Sequence, residues 1–87
     1  MKKLKKLLIQ LLNSAEMFGI NDSDLKNATE FFNHHEYDLC FDIVITQMYE
    51  YDIEIDKEFY KLIALIGNIL NLPQENYSFM EELIRDS

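Results

Sequence analysis

The stretch CFDIVIT, residues 40–46, decides the fold. Its β-branched side chains suit a buried strand as well as a helix. A strand, however, leaves its amides and carbonyls unpaired unless another strand runs beside it. No hairpin partner is expected for it elsewhere in the chain. The stretch therefore reads as the middle of a helix from about Tyr37 to Tyr51. At about 100° per residue, Tyr37, Cys40, Phe41, Val44, Ile45, Met48 and Tyr51 form one broad apolar arc. Asp38, Asp42 and Tyr49 gather on the opposite side, flanked by Thr46 and Glu50, with Leu39 and Ile43 as a narrow second apolar strip.

Helical signals continue in both directions. Upstream, Leu4, Leu7, Leu8, Leu11, Leu12, Ala15 and Phe18 recur at intervals of three and four, which predicts a helix from about Lys3 to Phe18. Gly19 offers it a left-handed stop, with Ile20 just beyond. Any of Asn21, Asp22 and Ser23 can cap the next helix, whose buried stripe is Leu25, Ala28, Phe31 and Phe32 and which ends near His34. Those aspartates do not make a calcium loop. Lys26 stands at the fifth position, Asn27 at the sixth where glycine is required, and Asn33 at the twelfth where glutamate is required.

Downstream, Asp56 is the expected cap of a fourth helix, and Ile55 can staple onto Tyr60. Phe59, Leu62, Ile63, Ile66, Ile69 and Leu70 leave that helix little polar surface, so it belongs in the core. Gly67 inside it is expected to let a neighbouring helix come close, and Asn71, Leu72 and Pro73 end it. Ser78 and Glu81 have the spacing of a capping box, ahead of a short fifth helix that buries Phe79, Met80, Leu83 and Ile84. The expectation is an all-α, compact single-domain bundle of about five helices spanning residues 1–87.

Composition narrows the function. The single cysteine, Cys40, forms no internal disulfide, which points to a reducing compartment and hence the cytoplasm. The opening MKKLKKLLIQLLNSAEMF imitates a secretory signal, but its apolar run is short, is broken by Gln10 and lacks a small-residue cleavage site. No segment reaches the roughly 20 apolar residues that span a bilayer. The net charge is −8, yet four of the eight basic residues sit within residues 1–6; the remainder sets four basic side chains against 16 acidic ones, a net of −12. Such a body repels nucleic acid and favours a cationic partner. Lys2, Lys3, Lys5 and Lys6 lie where the helix dipole disfavours cations, so they are expected to answer the acidic body of the same molecule. They stop at residue 6, whereas a membrane-surface helix carries cations along its whole polar face.

Catalytic chemistry finds no support. His34, His35, Glu36, Asp38 and Cys40 lie close in sequence, but adjacent histidines on a helix point about 100° apart and no second group at ligand spacing faces either. Helix-end caps are the simpler role for them. Cys40 falls inside the apolar arc, and two glycines in total cannot build a phosphate loop. No enzyme activity, metal or cofactor is expected.

What remains is the acidic middle. Residues 36–58 set eight carboxylates against one lysine, with Tyr37, Phe41, Tyr49 and Tyr51 threaded among them. Tyrosine anchors binding surfaces because it buries much area at little entropic cost, and carboxylates around it draw in a basic partner. The candidate partner-binding residues are Asp38, Asp42, Tyr49, Glu50, Asp52, Glu54 and Glu58. A basic partner is most often a protein evolved to hold nucleic acid, so the expected target is the cationic cleft of a nuclease, in a 1:1 complex. The plainer alternative is a solvated face that only keeps the protein soluble. An adaptor that docks through Leu39 and Ile43 is a third reading, and a general nucleic-acid mimic a fourth.

The succession EYDLCFDIVITQMYEYDIEI, DKEFYKLI and LPQENYSFMEELI resembles the small all-helical immunity proteins of polymorphic bacterial toxin systems, especially the MafI family and related contact-dependent inhibition immunity proteins. The likeness spans roughly residues 19–85 and is strongest from Glu36-Tyr37 through Gln47, at Tyr49 and Glu50, and at Ile53 to Ile55. It is a pattern of helix lengths and side-chain types without a short diagnostic motif. The resemblance implies a cytosolic antidote to a toxin domain delivered by neighbouring cells, often a ribonuclease of the EndoU class or another tRNA-cleaving type. It carries over no catalytic residue, and it touches packing positions such as Tyr37, Phe41, Tyr60, Leu62 and Ile63 more than any contact.

Overall fold

The structure, a computed structural model, describes residues 2–85. It has four α-helices, α1 (Lys2–Phe18), α2 (Asp22–Asn33), α3 (Tyr37–Glu50) and α4 (Lys57–Ile69), followed by 3₁₀ turns at Gln74–Asn76 and Ser78–Leu83. The deciding stretch is helical. Cys40, Phe41, Val44, Ile45 and Met48 are each at most 1% exposed on one side of α3. Burying such a side chain stabilises by roughly 1.5–3 kcal/mol, against a few tenths lost per β-branched residue in a helix, so burial wins over local propensity.

α2 and α3 pair extensively, α1 lies across both, and α4 closes the other side of α1. Leu8, Leu11, Val44, Ile45, Ile63, Ile66 and Met80 meet in the centre, and no polar side chain is buried among the described residues. The fold is all-α, and no strand occurs among the described residues; an isolated parallel bridge joins Ile55 to Ile84.

Every helix ends in the same way. The amide two residues past the cap reaches back five residues: Ile20 to Ala15 (3.0 Å), Glu36 to Phe31 (2.9 Å), Ile53 to Met48 (3.0 Å) and Leu72 to Gly67 (2.9 Å). The residue between is left-handed each time: Gly19 (φ 105°), His35 (61°), Asp52 (53°) and Asn71 (59°). These are Schellman ends, made with the residue types that best tolerate positive φ. At the N-termini, Asn21 caps α2 by accepting from the Ser23 amide (2.8 Å), and Asp56 caps α4 by accepting from the Phe59 amide (2.8 Å).

Three expectations are corrected. The Ser78–Glu81 capping box does not form: the segment is 3₁₀, begins after Tyr77 and has no side-chain cap. Six residues are too few to hold an α-helix by themselves, and this piece is instead pinned by buried Met80 and Leu83 and by the bonds Ile55 N–H to Leu83 O (3.0 Å) and Arg85 N–H to Ile55 O (2.9 Å). Gly67 admits an aromatic ring and not a helix. A methyl group there would lie 2.5 Å from Cε2 and 2.6 Å from Cδ2 of Tyr77. Finally, Lys2, Lys3, Lys5 and Lys6 are exposed and take no part in the ion pairs seen among the described residues, Glu58–Lys61 and Glu54–Arg85.

Candidate functional site

The outward face of α3 presents Asp38, Leu39, Asp42, Thr46, Tyr49 and Glu50, all exposed. At about 1.5 Å of rise per residue, Asp38 and Glu50 stand roughly 18 Å apart along it. Tyr49 is committed to its own molecule. Its hydroxyl donates to Glu82 Oε1 at 3.0 Å, and its ring meets Phe79 edge-on at 4.9 Å between centroids. The hydrogen bond to Glu82, and then that carboxylate's charge, raise the phenol above its ordinary pKa. The expected Leu39 and Ile43 strip is divided as well. Leu39 is exposed, whereas Ile43 is half-buried and lines a cavity of about 320 Å³ between α2 and α3 with Phe31 and His34.

Asp52 and Glu54 lie elsewhere, on the turn between α3 and α4. They line a groove of about 710 Å³ at one end of the bundle, together with Met17, Tyr51, Asp56 and Arg85. Asp52 is there because it is the left-handed residue that ends α3. Glu54 faces Arg85 at 3.5 Å. Glu58, in the first turn of α4, pairs with Lys61 at 3.5 Å and opens on an adjacent groove against α1, lined by Gln10, Ser14 and Leu62. The seven candidate residues are thus all exposed but fall in three places: the α3 face, the end groove and the α1–α4 groove. Asp38, Asp42, Glu50 and Asp52 join no ion pair among the described residues, and the two exposed pairs that do form are each worth at most about 1 kcal/mol.

The histidines serve the end of α2. His34 Nδ1 hydrogen-bonds the Glu30 carbonyl at 2.8 Å, and His35 Nδ1 shares a hydrogen bond of 2.9 Å with the Tyr37 hydroxyl. The Cys40 thiol is buried, which pushes its pKa up to about 11 and keeps it from acting as a thiolate. Among the described residues no group of three or more His, Cys, Asp or Glu could hold a metal ion, and no helix is long and apolar enough to cross a membrane.

Sequence reasoning passed over two residues of the end groove. Tyr51 was expected in the packed arc of α3 but is 58% exposed, because it caps the helix at the point where the chain turns away from the core. Met17, 87% exposed, lies on the polar side of α1, one turn after Asn13. Its helical position alone could have shown that the core does not use it. Set against protein families, curated proteins and solved structures, the chain matches none.

Proposed function

We propose that this protein is a cytoplasmic immunity protein that binds and neutralises a cognate bacterial toxin, a ribonuclease of the EndoU-like or tRNA-cleaving kind delivered by contact-dependent inhibition. The carboxylates stand in for substrate phosphates and pair with lysine, arginine or histidine in the toxin's basic cleft, so that RNA is kept out. The observation that carries the reading is the set of exposed carboxylates, Asp38, Asp42, Glu50 and Asp52, that no ion pair among the described residues offsets, on a chain of net charge −8. Uncompensated charge of this kind steers encounters toward about 10⁸–10⁹ per molar per second at low salt. The resemblance of residues 19–85 to small helical immunity proteins supplies the class of partner.

The test is co-expression with the variable C-terminal domain of a large secreted protein encoded next to this gene, scored by growth and RNA integrity in a sensitive host. Rescue with a tight, salt-dependent 1:1 complex is the expected outcome. Continued killing with the protein folded and present refutes the reading for that pair. A second reading, an adaptor docking on another helical protein, draws on Leu39 at 43% exposed; it requires binding that is indifferent to salt.

A further inference from the structure

Met17 and Tyr51, at 87% and 58%, are the most exposed large apolar side chains among the described residues, and both line the same groove at the end of the bundle. Neither contributes to the core. Polar residues would serve the fold as well at both positions, yet the groove keeps an adaptable thioether and an aromatic ring, the two side-chain types that suit a recognition surface. Its rim is acidic. Asp52, Glu54 and Asp56 line it, together with Arg85. Asp56 spends one oxygen on the Phe59 amide, Glu54 has Arg85 at 3.5 Å, and Asp52 joins no ion pair among the described residues.

We infer that this groove, and not the α3 face, anchors the partner, and that its occupant is a lysine or arginine side chain on a loop of that protein. The aliphatic stem lies along Met17, the cationic head stands over the Tyr51 ring, and Asp52 and Glu54 accept its hydrogen bonds. An apolar wall with an acidic rim fits a long side chain that is apolar along its length and charged at its tip. This inference rests on the immunity reading and deepens it: the α3 carboxylates speed the approach, and the end groove holds the complex.

The experiment measures binding of the neighbouring gene's nuclease domain to the full chain by surface plasmon resonance. Wild type, Tyr51→Ala, Met17→Ala, Asp52→Asn and the α3 triple Asp38→Lys/Asp42→Lys/Glu50→Lys are compared after thermal melts confirm folding. Asn tolerates the left-handed backbone at position 52, so Asp52→Asn removes charge without straining the turn. The expected results are affinity losses of about 30-fold for Tyr51→Ala and about tenfold for Asp52→Asn, both in dissociation, while the α3 triple acts mainly on association. Groove variants within twofold of wild type overturn the inference and leave the immunity reading standing. No binding by wild type sinks the immunity reading and this inference with it. Salt-sensitive self-association in sedimentation, lost in Asp52→Asn, would assign the groove to the lysine-rich end of a second copy and overturn the proposal.

Discussion

At Gly67 two effects oppose each other. Alanine is favoured over glycine inside a helix by about 1 kcal/mol, so on local grounds Gly67→Ala stabilises α4. The Tyr77 ring reverses that expectation, since an added Cβ would meet its Cε2 at 2.5 Å and its Cδ2 at 2.6 Å, about 1–1.5 Å inside ordinary carbon contact at about 3.5–4.0 Å. The contacting atoms belong to a rigid ring. Its backbone is held by the bonds Tyr77 N–H to Gln74 O (3.1 Å) and Met80 N–H to Tyr77 O (3.0 Å), so the ring must swing out or the turn must move. Overpacking costs about 1–3 kcal/mol, and an overlap of this size with a rigid ring belongs in the upper part of that range, about 2–3 kcal/mol, which exceeds the propensity gain. The expected net loss is about 1–2 kcal/mol, on the order of 5–10 °C in Tm for a domain of this size. Urea titration followed by helical circular dichroism measures it. In a Tyr77→Ala background the clash is gone and the same substitution should stabilise by about 1 kcal/mol, so the sign reverses between backgrounds. Gly67→Ala that is neutral or stabilising in the otherwise wild-type chain, or equal in both backgrounds, refutes the reasoning.

Other outcomes follow from the same structure. Asp56→Ala leaves the Phe59 amide uncapped and should lower stability by about 1 kcal/mol in urea melts, with Asp56→Asn recovering most of it. Burial raises the Cys40 thiol from an ordinary 9.0 to about 11, so the fold favours the protonated form; that contribution is intact below pH 9 and is lost as pH rises through 11. Stability should therefore fall by about 2–3 kcal/mol across that window, with a shallower fall in Cys40→Ala, and native Cys40 should resist thiol reagents at pH 8 until the protein is unfolded. In stopped-flow experiments with the cognate nuclease domain, charge reversal at Asp38, Asp42 and Glu50 together should slow association and flatten its salt dependence; unchanged kinetics would remove the α3 face from the encounter.

The features legible in the sequence are those set by residues within about four positions of one another. Asn21 and Asp56 cap because a side-chain oxygen reaches an amide two or three residues on, Gly19 ends α1 through its own backbone freedom, and three-and-four spacing put Leu4, Leu8 and Leu11 on one buried face. Even the β-branched CFDIVIT was readable as helix, since at about 100° per residue Cys40, Phe41, Val44 and Ile45 fall on one apolar arc. The candidate site was legible only by residue type. All seven chosen side chains are exposed, but no local rule says that Asp38 and Glu58 face different parts of the surface, or that Tyr49 is tied to Glu82, 33 positions away.

Residue types and spacings by themselves determined four helices, their order, most of their ends and the acidity of the surface between residues 36 and 58, because each of these is settled by short-range hydrogen bonds or by the count of charges. Only the tertiary structure decided which ring fills the space left by Gly67, why residues 78–83 are 3₁₀ and not α, and that Met17 and Tyr51 meet at one groove. Those outcomes depend on how rigid elements far apart in the chain are juxtaposed. That juxtaposition is fixed by the whole set of packing contacts at once, and no single stretch of residues carries it.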